Sequence, residues 1–396
     1  MKITEVNAYP LAVPRPGVAT TKPDHYLPHW KELSAAGVRS NYYACIVEIK
    51  TDEGITGYGE SLVREVPEAH AAIVKKLLAK IILGQDPARV KELWEIMFSS
   101  LCTRGHFGGF FVEALSGVDA ALWDILGKAK GKPVYRLLGG PTMEKIKAYA
   151  SSIYWHYFTK AAPEEVAKEA VKLVEAGHDH MKIKVGASKM GGGRDADVKM
   201  IKAVRDAVGK DIEIMADANS AFSVEEALKV GKQLEKLEVK WFEEPIPPHD
   251  VDGYVKLAKS LDMNIAGGES LFSSYTFRDF FTRGGLDIAQ PNLSRCGGPT
   301  EYLKILKLCE AHGVRLAPHV GLSGPGSRAA GLHASAATPR KIFVAYEYMY
   351  KQDNPLNTAL LEEPIEFFEK GHLAIPRDLG LGMKLKLEKL NEFLVR

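Results

Sequence analysis

Cysteine is scarce in this chain of 396 residues: there are four, at positions 45, 102, 296 and 309, and none forms a CxxC pair. Thiols scattered in this way are expected in a reducing cytoplasm rather than in a disulfide framework. Charge of either sign is not in excess. The net charge of +2 is too near neutral to suggest a nucleic-acid partner. No apolar run approaches membrane-spanning length, and the opening MKITEVNAYPLAVP lacks the continuous apolar core of a signal peptide. Low-complexity linkers are also missing. What remains is an ordinary globular composition, 46% hydrophobic and 26% charged, in a chain long enough for two tightly joined domains. The expectation is a cytoplasmic protein with neither a nucleic-acid nor a membrane partner, working as a homo-oligomer on a small molecule.

Residues 1–12 and 42–60 pattern as antiparallel strands, with a turn at Asp52-Glu53-Gly54. Between them, 14–40 is a long Pro/Gly-bearing aromatic stretch, the kind of segment that usually serves as a lid or binding loop. Apolar spacing predicts helices over 67–82, 87–99 and 112–131, so 1–130 reads as an α+β capping domain. From about 145 the rhythm changes. Candidate strands at 146–152, 180–185, 212–217, 239–243, 264–269, 286–290, 315–319 and 343–347 alternate with helical segments such as 163–176, 195–208, 223–237, 298–312 and 325–337. Eight strands alternating with helices predict a parallel α/β barrel over 131–350. The tail, 351–396, carries no barrel pattern and is expected to pack back on the capping domain.

Three of these strand-like bursts end on acid. Asp217 closes DIEIMAD, Glu243 lies in VKWFEEP, Glu269 lies in MNIAGGES, and each interval is 26 residues. A strand, a crossover helix and two short loops need roughly that length, about 30 residues. The three carboxylates are therefore expected in register on the C-terminal rim of the barrel, where this architecture keeps its chemistry. Converging acids repel unless a cation lies between them, and hard oxygen donors suit Mg²⁺. Glu244 follows Glu243 directly and points the other way, so it is expected to support the site rather than ligate.

One βα unit earlier, HMKIKVG places Lys182 and Lys184 two residues apart, on one side of a strand. Two ammonium groups facing the barrel mouth beside a divalent cation should lower each other's pKa, which makes a lysine a usable general base. Taken alone, KIK would equally fit a solvated lysine pair on an edge strand; the acids that follow argue for the site. RLAPHV adds His319 and FVAYEY adds Glu347 at two later strand ends.

These residues carry a family resemblance. KIK at 182–184, ADAN at 216–219, WFEEP at 241–245, GGES at 267–270, QPN at 290–292 before GG at 297–298, and APH at 317–319 together resemble the mandelate racemase subgroup of the enolase superfamily. The resemblance covers nearly the whole chain and implies a (β/α)₇β barrel under an N-terminal α+β cap. It implies Lys184 as the base on one face of the substrate and His319 as acid or base on the other. Asp217, Glu243 and Glu269 are implied as Mg²⁺ ligands, Lys182 as a carboxylate-contacting partner of Lys184, and Glu347 as a donor to the substrate carboxylate. Asn292 breaks the pattern, because the position that orients the histidine is normally Asp. Its carbonyl can still accept the ring N–H, but without charge, which makes His319 a poorer acid or changes the role of the pair.

Abstraction of a proton α to a carboxylate gives an enediolate that a divalent cation stabilises. Expulsion of a β-hydroxyl then completes a dehydration, whereas reprotonation on the other face completes a racemisation or epimerisation. The polar cap segment, with His25, Tyr26, His29 and Trp30, together with Arg64, suits a hydroxylated substrate. His25, Tyr26, Arg64 and Asn219 are the candidate substrate contacts. The expected activity is Mg²⁺-dependent dehydration of a sugar acid, with a racemase or epimerase as the alternative and a non-catalytic ligand-binding relative as a third reading.

Overall fold

In a computed structural model of the chain, residues 1–15, 41–153, 162–186, 195–351 and 353–395 are described. Strands β1 (Ile3–Pro14), β2 (Asn41–Thr51) and β3 (Thr56–Leu62) form one antiparallel sheet in that order. Helix α1 covers Pro67–Ile82, with a π turn at Val74–Leu78 inside it, and α2 (Val90–Cys102) follows. The long α3 (Gly109–Ala129) lies flush on β3. That approach needs glycine: a Cβ at Gly57 or Gly59 would run into the backbone carbonyls of Ala121 or Gly117. The flush packing fixes where the end of β3, with Glu60, meets the second domain.

That domain is a barrel of eight parallel strands: β4 (Lys145–Ile153), β5 (His180–Lys184), β6 (Glu213–Asp217), β7 (Trp241–Glu243), β8 (Asn264–Gly267), β9 (Ile288–Ala289), β10 (Arg315–Leu316) and β11 (Tyr346–Tyr348). Pairing of β11 with β4 and a bridge between Leu316 and Phe343 close the ring. Tyr149, Met215, Trp241, Ala266, Ile288, Ala317 and Ala345 fill its interior, so the barrel is a packed core and not a pore. The connecting helices are α4 (Pro163–Glu175), α5 (Ala196–Val208), α6 (Val224–Lys236), α7 (Val251–Ser260), α8 (Ser273–Arg283), α9 (Gly298–His312) and α10 (Pro325–Ala337). Seven helices for eight strands give (β/α)₇β. Helix α6 shows why these segments fold locally. The amide of Glu226 donates to the Ser223 hydroxyl and the Glu226 carboxylate accepts from the Ser223 amide, a reciprocal cap ahead of an apolar stripe.

Helix α7 is the crossover helix expected between Glu243 and Glu269; it buries Gly253, Tyr254 and Leu257, too few positions to fix its ends from periodicity. Helix α8 is not among the helical segments named from the sequence; it buries an aromatic run, Phe277, Phe280 and Phe281. The tail does more than return to the cap. Its hairpin, β12 (Phe368–Glu369) and β13 (His372–Ala374), pairs antiparallel with the start of β4. Further on, Leu381 donates to Asp124 of α3, and Phe393 and Val395 bond to β1. Strands of two and three residues, joined through Lys370-Gly371, are too short to print a period.

Candidate active site

Asp217, Glu243 and Glu269 are buried, and each offers an oxygen within 4.8 Å of the other two. The strands explain only part of this. Asp217 of β6 pairs in register with Glu243 of β7, but Glu243 pairs with Ala266 of β8, three residues before Glu269. Glu269 is therefore not in register, as the equal spacing had implied. It lies past the strand end, turned back by Gly268 at φ 116°. A Cβ there would meet the Phe277 ring at 2.7 Å.

The carboxylates are held individually. Glu243 accepts from the Trp241 indole at 3.0 Å, from the Gln290 amide at 2.6 Å and from Lys182 at 2.5 Å. Asp217 accepts from the Asn219 backbone at 2.9 Å and pairs with Lys184. Glu269 faces His319 Nε2 at 3.2 Å and Arg64 at 3.5 Å. Burial and the charge of Asp217 push Glu243 well above the ordinary carboxylate range, against the pull of Lys182. Burial also works against ionised Glu269, but His319 and Arg64 outweigh it and hold Glu269 well below that range. Adjacent Glu244, at φ 35°, is pushed up to about 8 by burial and by the charges of Glu269 and Asp217. One of its oxygens has no hydrogen-bond partner, and it lies outside the triad. Three buried, closely set carboxylate oxygens form a hard donor set that fits Mg²⁺.

The two lysines differ from the expectation. Alternation does put both on the inner side of β5, but Lys182 does not open to the mouth. Its side chain is 1% exposed, with its ammonium 2.5 Å from Glu243, 2.9 Å from Glu347 and 3.4 Å from Asp217, and 5.4 Å from the centre of the Tyr149 ring. Here it is the counter-ion of those three carboxylates. Lys184, 14% exposed, reaches the mouth and is held by Asp217 and, at 2.6 Å, by the Asn219 side-chain oxygen. The pair does not depress itself either. Burial lowers both lysines, but the carboxylates outweigh it and raise Lys182 well above its ordinary value and Lys184 above its own. Lysine–lysine repulsion is real at Lys184, but smaller than the attraction of Asp217.

Asn292 and His319 lie just past β9 and β10. The Ser294 backbone amide donates to Asn292 Oδ1 at 2.8 Å, and the Ser327 hydroxyl adds a second bond at 3.3 Å. Those donors orient the amide, so its NH₂ faces His319 Nδ1 at 3.1 Å. This reverses the expected arrangement, in which the carbonyl accepts the ring N–H. In the neutral imidazole this arrangement has Nδ1 accepting and the proton on Nε2, which points at Glu269. Gly321, at φ 51°, closes over the ring; a Cβ there would sit 2.5 Å from His319 Cε1.

Glu347, on β11, is buried. It accepts from Ser151 at 2.7 Å and from the backbone amides of Val320 and Gly321 at 3.0 and 2.9 Å. Burial would raise its pKa, but Lys182 and His319 reverse that and hold it far below the ordinary range. Of the candidate substrate contacts, Arg64 stands at the rim, 34% exposed, and Asn219 partners Lys184. His25 and Tyr26, with His29 and Trp30, lie outside the described residues. Trp241, Gln290 and Ser151 went unassigned in the sequence, although Trp241 stands two residues before Glu243, which puts the two on the same side of β7.

Residues 165–390 match the family described as "Enolase C-terminal domain-like". Residues 18–139 match "Mandelate racemase / muconate lactonizing enzyme, N-terminal domain". The chain belongs to the enolase superfamily. Within it, the mandelate racemase subgroup accounts for both domains and for the acid triad. Among similar superfamily members is the arabinonate dehydratase of Saccharolobus solfataricus, 35% identical over 86% of this chain and 87% of that protein. The D-galactarolactone cycloisomerase of Agrobacterium fabrum is 36% identical over 88% of this chain and 90% of that one. The crystal structure of the 3,6-anhydro-D-galactonate cycloisomerase from Zobellia galactanivorans superposes with a TM-score of 0.83 at 29% identity, covering both chains in full. Among the described residues, no helix is long and apolar enough to cross a membrane.

Proposed function

We propose that this protein is a hydro-lyase that removes water from a sugar acid by α-proton abstraction, with Mg²⁺ held by Asp217, Glu243 and Glu269. Bound there, Mg²⁺ would stabilise charge developing on the substrate carboxylate and cancel the carboxylate field that keeps Lys184 protonated. Lys184 Nζ takes the α-proton, breaking the C–H bond, and the β C–O bond then breaks. His319 Nε2–H hydrogen-bonds the departing oxygen from the other side. The proton carried by Lys184 ends on that oxygen to give water, and the enol left behind becomes a 2-keto-3-deoxy acid.

The observation that carries this reading is the orientation of the Asn292 amide. Racemisation through two faces needs a basic lone pair at His319 Nε2, and that atom carries a proton. The relatives named as dehydratases support elimination. The cycloisomerases favour a second reading, in which the leaving oxygen belongs to the substrate's own ring. The test is a panel of aldonic and aldaric acids and their lactones, incubated with Mg²⁺ and assayed with semicarbazide. Dehydration of an open-chain acid forms a semicarbazone. Activity confined to lactones supports the second reading, and optical rotation that changes without a ketone would overturn both.

The same reading predicts the effect of Asn292→Asp. A carboxylate accepts Nδ1–H, which frees the Nε2 lone pair as a second base. The variant should release the C2 epimer of its substrate, detectable by chromatography, where the parent protein releases none. Identical products from the two proteins would show that the amide does not set the role of His319.

A further inference from the structure

Glu60 stands at the end of β3 in the cap, fully buried, yet among the described residues the hydrogen-bond donors to its carboxylate all belong to the barrel domain. Its two oxygens accept from the backbone amides of Gly324 at 2.8 Å, Gly326 at 2.8 Å and Ser327 at 3.2 Å. Those amides are the open N-terminus of barrel helix α10, whose own cap residue, Gly324, offers no side chain. A carboxylate from another domain thus satisfies donors that the helix leaves orphaned, with the helix dipole favouring its charge. The fit is close: a Cβ on Gly326 would lie 2.5 Å from Glu60 Cβ. Burial pushes the Glu60 carboxyl up to about 7, even though the three amides pull it down, and Arg328 on α10 is the charge that offsets it.

Ser327 links this cap to the chemistry. Its backbone amide is held by Glu60, and its hydroxyl donates to Asn292 Oδ1, the atom that decides which way the amide faces His319. We propose that Glu60 is a positioning residue through which the capping domain sets the Asn292–His319 pair, so that the leaving-group step depends on docking of the cap against α10. This rests on the dehydratase reading above. Glu60 touches no reacting atom and no carboxylate of the triad, so proton abstraction by Lys184 should not depend on it.

The test separates the two steps. Glu60→Gln puts an amide NH₂ among backbone donors and should loosen the first turn of α10. Displacement of a catalytic group by about 1 Å can slow a reaction as much as about 100-fold. Keto-acid formation should therefore fall at least tenfold. Exchange of the substrate α-proton in D₂O should stay within about twofold, and Mg²⁺ affinity by calorimetry should be unchanged. Ser327→Ala keeps the backbone amides and the Glu60 contacts and removes only the hydroxyl, so it tests the link even where Glu60→Gln misfolds. It should show the same split, and the double variant should be little worse than the worse single one. Parallel loss of exchange and turnover in Ser327→Ala, or wild-type turnover in it, would overturn the proposal. Failure of the dehydratase reading looks different, because then the unaltered protein yields no keto acid at all.

Discussion

With Lys184 replaced by methionine, exchange of the substrate α-proton in D₂O should drop by about 10²–10⁴, the range that a positioned general base contributes. Methionine keeps the length and packing of the lysine stem but offers no lone pair for a proton. Lys182 cannot substitute. It lies 1% exposed among Glu243, Glu347 and Asp217. In the proposed mechanism His319 does not substitute either, because the Asn292 amide faces Nδ1 and leaves the neutral ring's proton on the inward Nε2. Mg²⁺ affinity should hold or rise, because the variant removes a cation that competes for Asp217. Exchange followed by NMR, with calorimetry for Mg²⁺, checks both parts. Wild-type exchange in a folded variant would remove Lys184 from the mechanism and leave a single-base elimination without its base.

What the sequence made legible was local and periodic. Short apolar bursts ending on Asp217 and Glu243 marked strand ends, and alternation placed Lys182 and Lys184 on the inner side of β5. The remainder depends on backbone turns and long-range partners that no period encodes. Glu269 reaches the triad through the Gly268 turn, and its match to the 26-residue spacing is a coincidence of loop length. Lys182 and Lys184 look equivalent in KIK, and only the three carboxylates around Lys182 distinguish counter-ion from base. The direction of the Asn292 amide depends on Ser294 and on Ser327, 35 residues away. Glu60 meets its donors more than 260 residues along the chain.

In the proposed mechanism the three carboxylates form a divalent-cation site on which the chemistry depends, and Asp217→Asn tests that site directly. The substitution keeps size and the acceptor for the Asn219 backbone amide but removes one of three charges. Loss of groups that merely support a ligand typically lowers metal affinity 10–100-fold, so loss of a ligand charge should cost about 100-fold or more. Turnover alone would not decide the matter, because Asp217 also holds Lys184. The deciding measurement is Mg²⁺ binding by titration calorimetry on the folded variant, without substrate. The account predicts affinity weakened about 100-fold or beyond detection, and undiminished binding would contradict it.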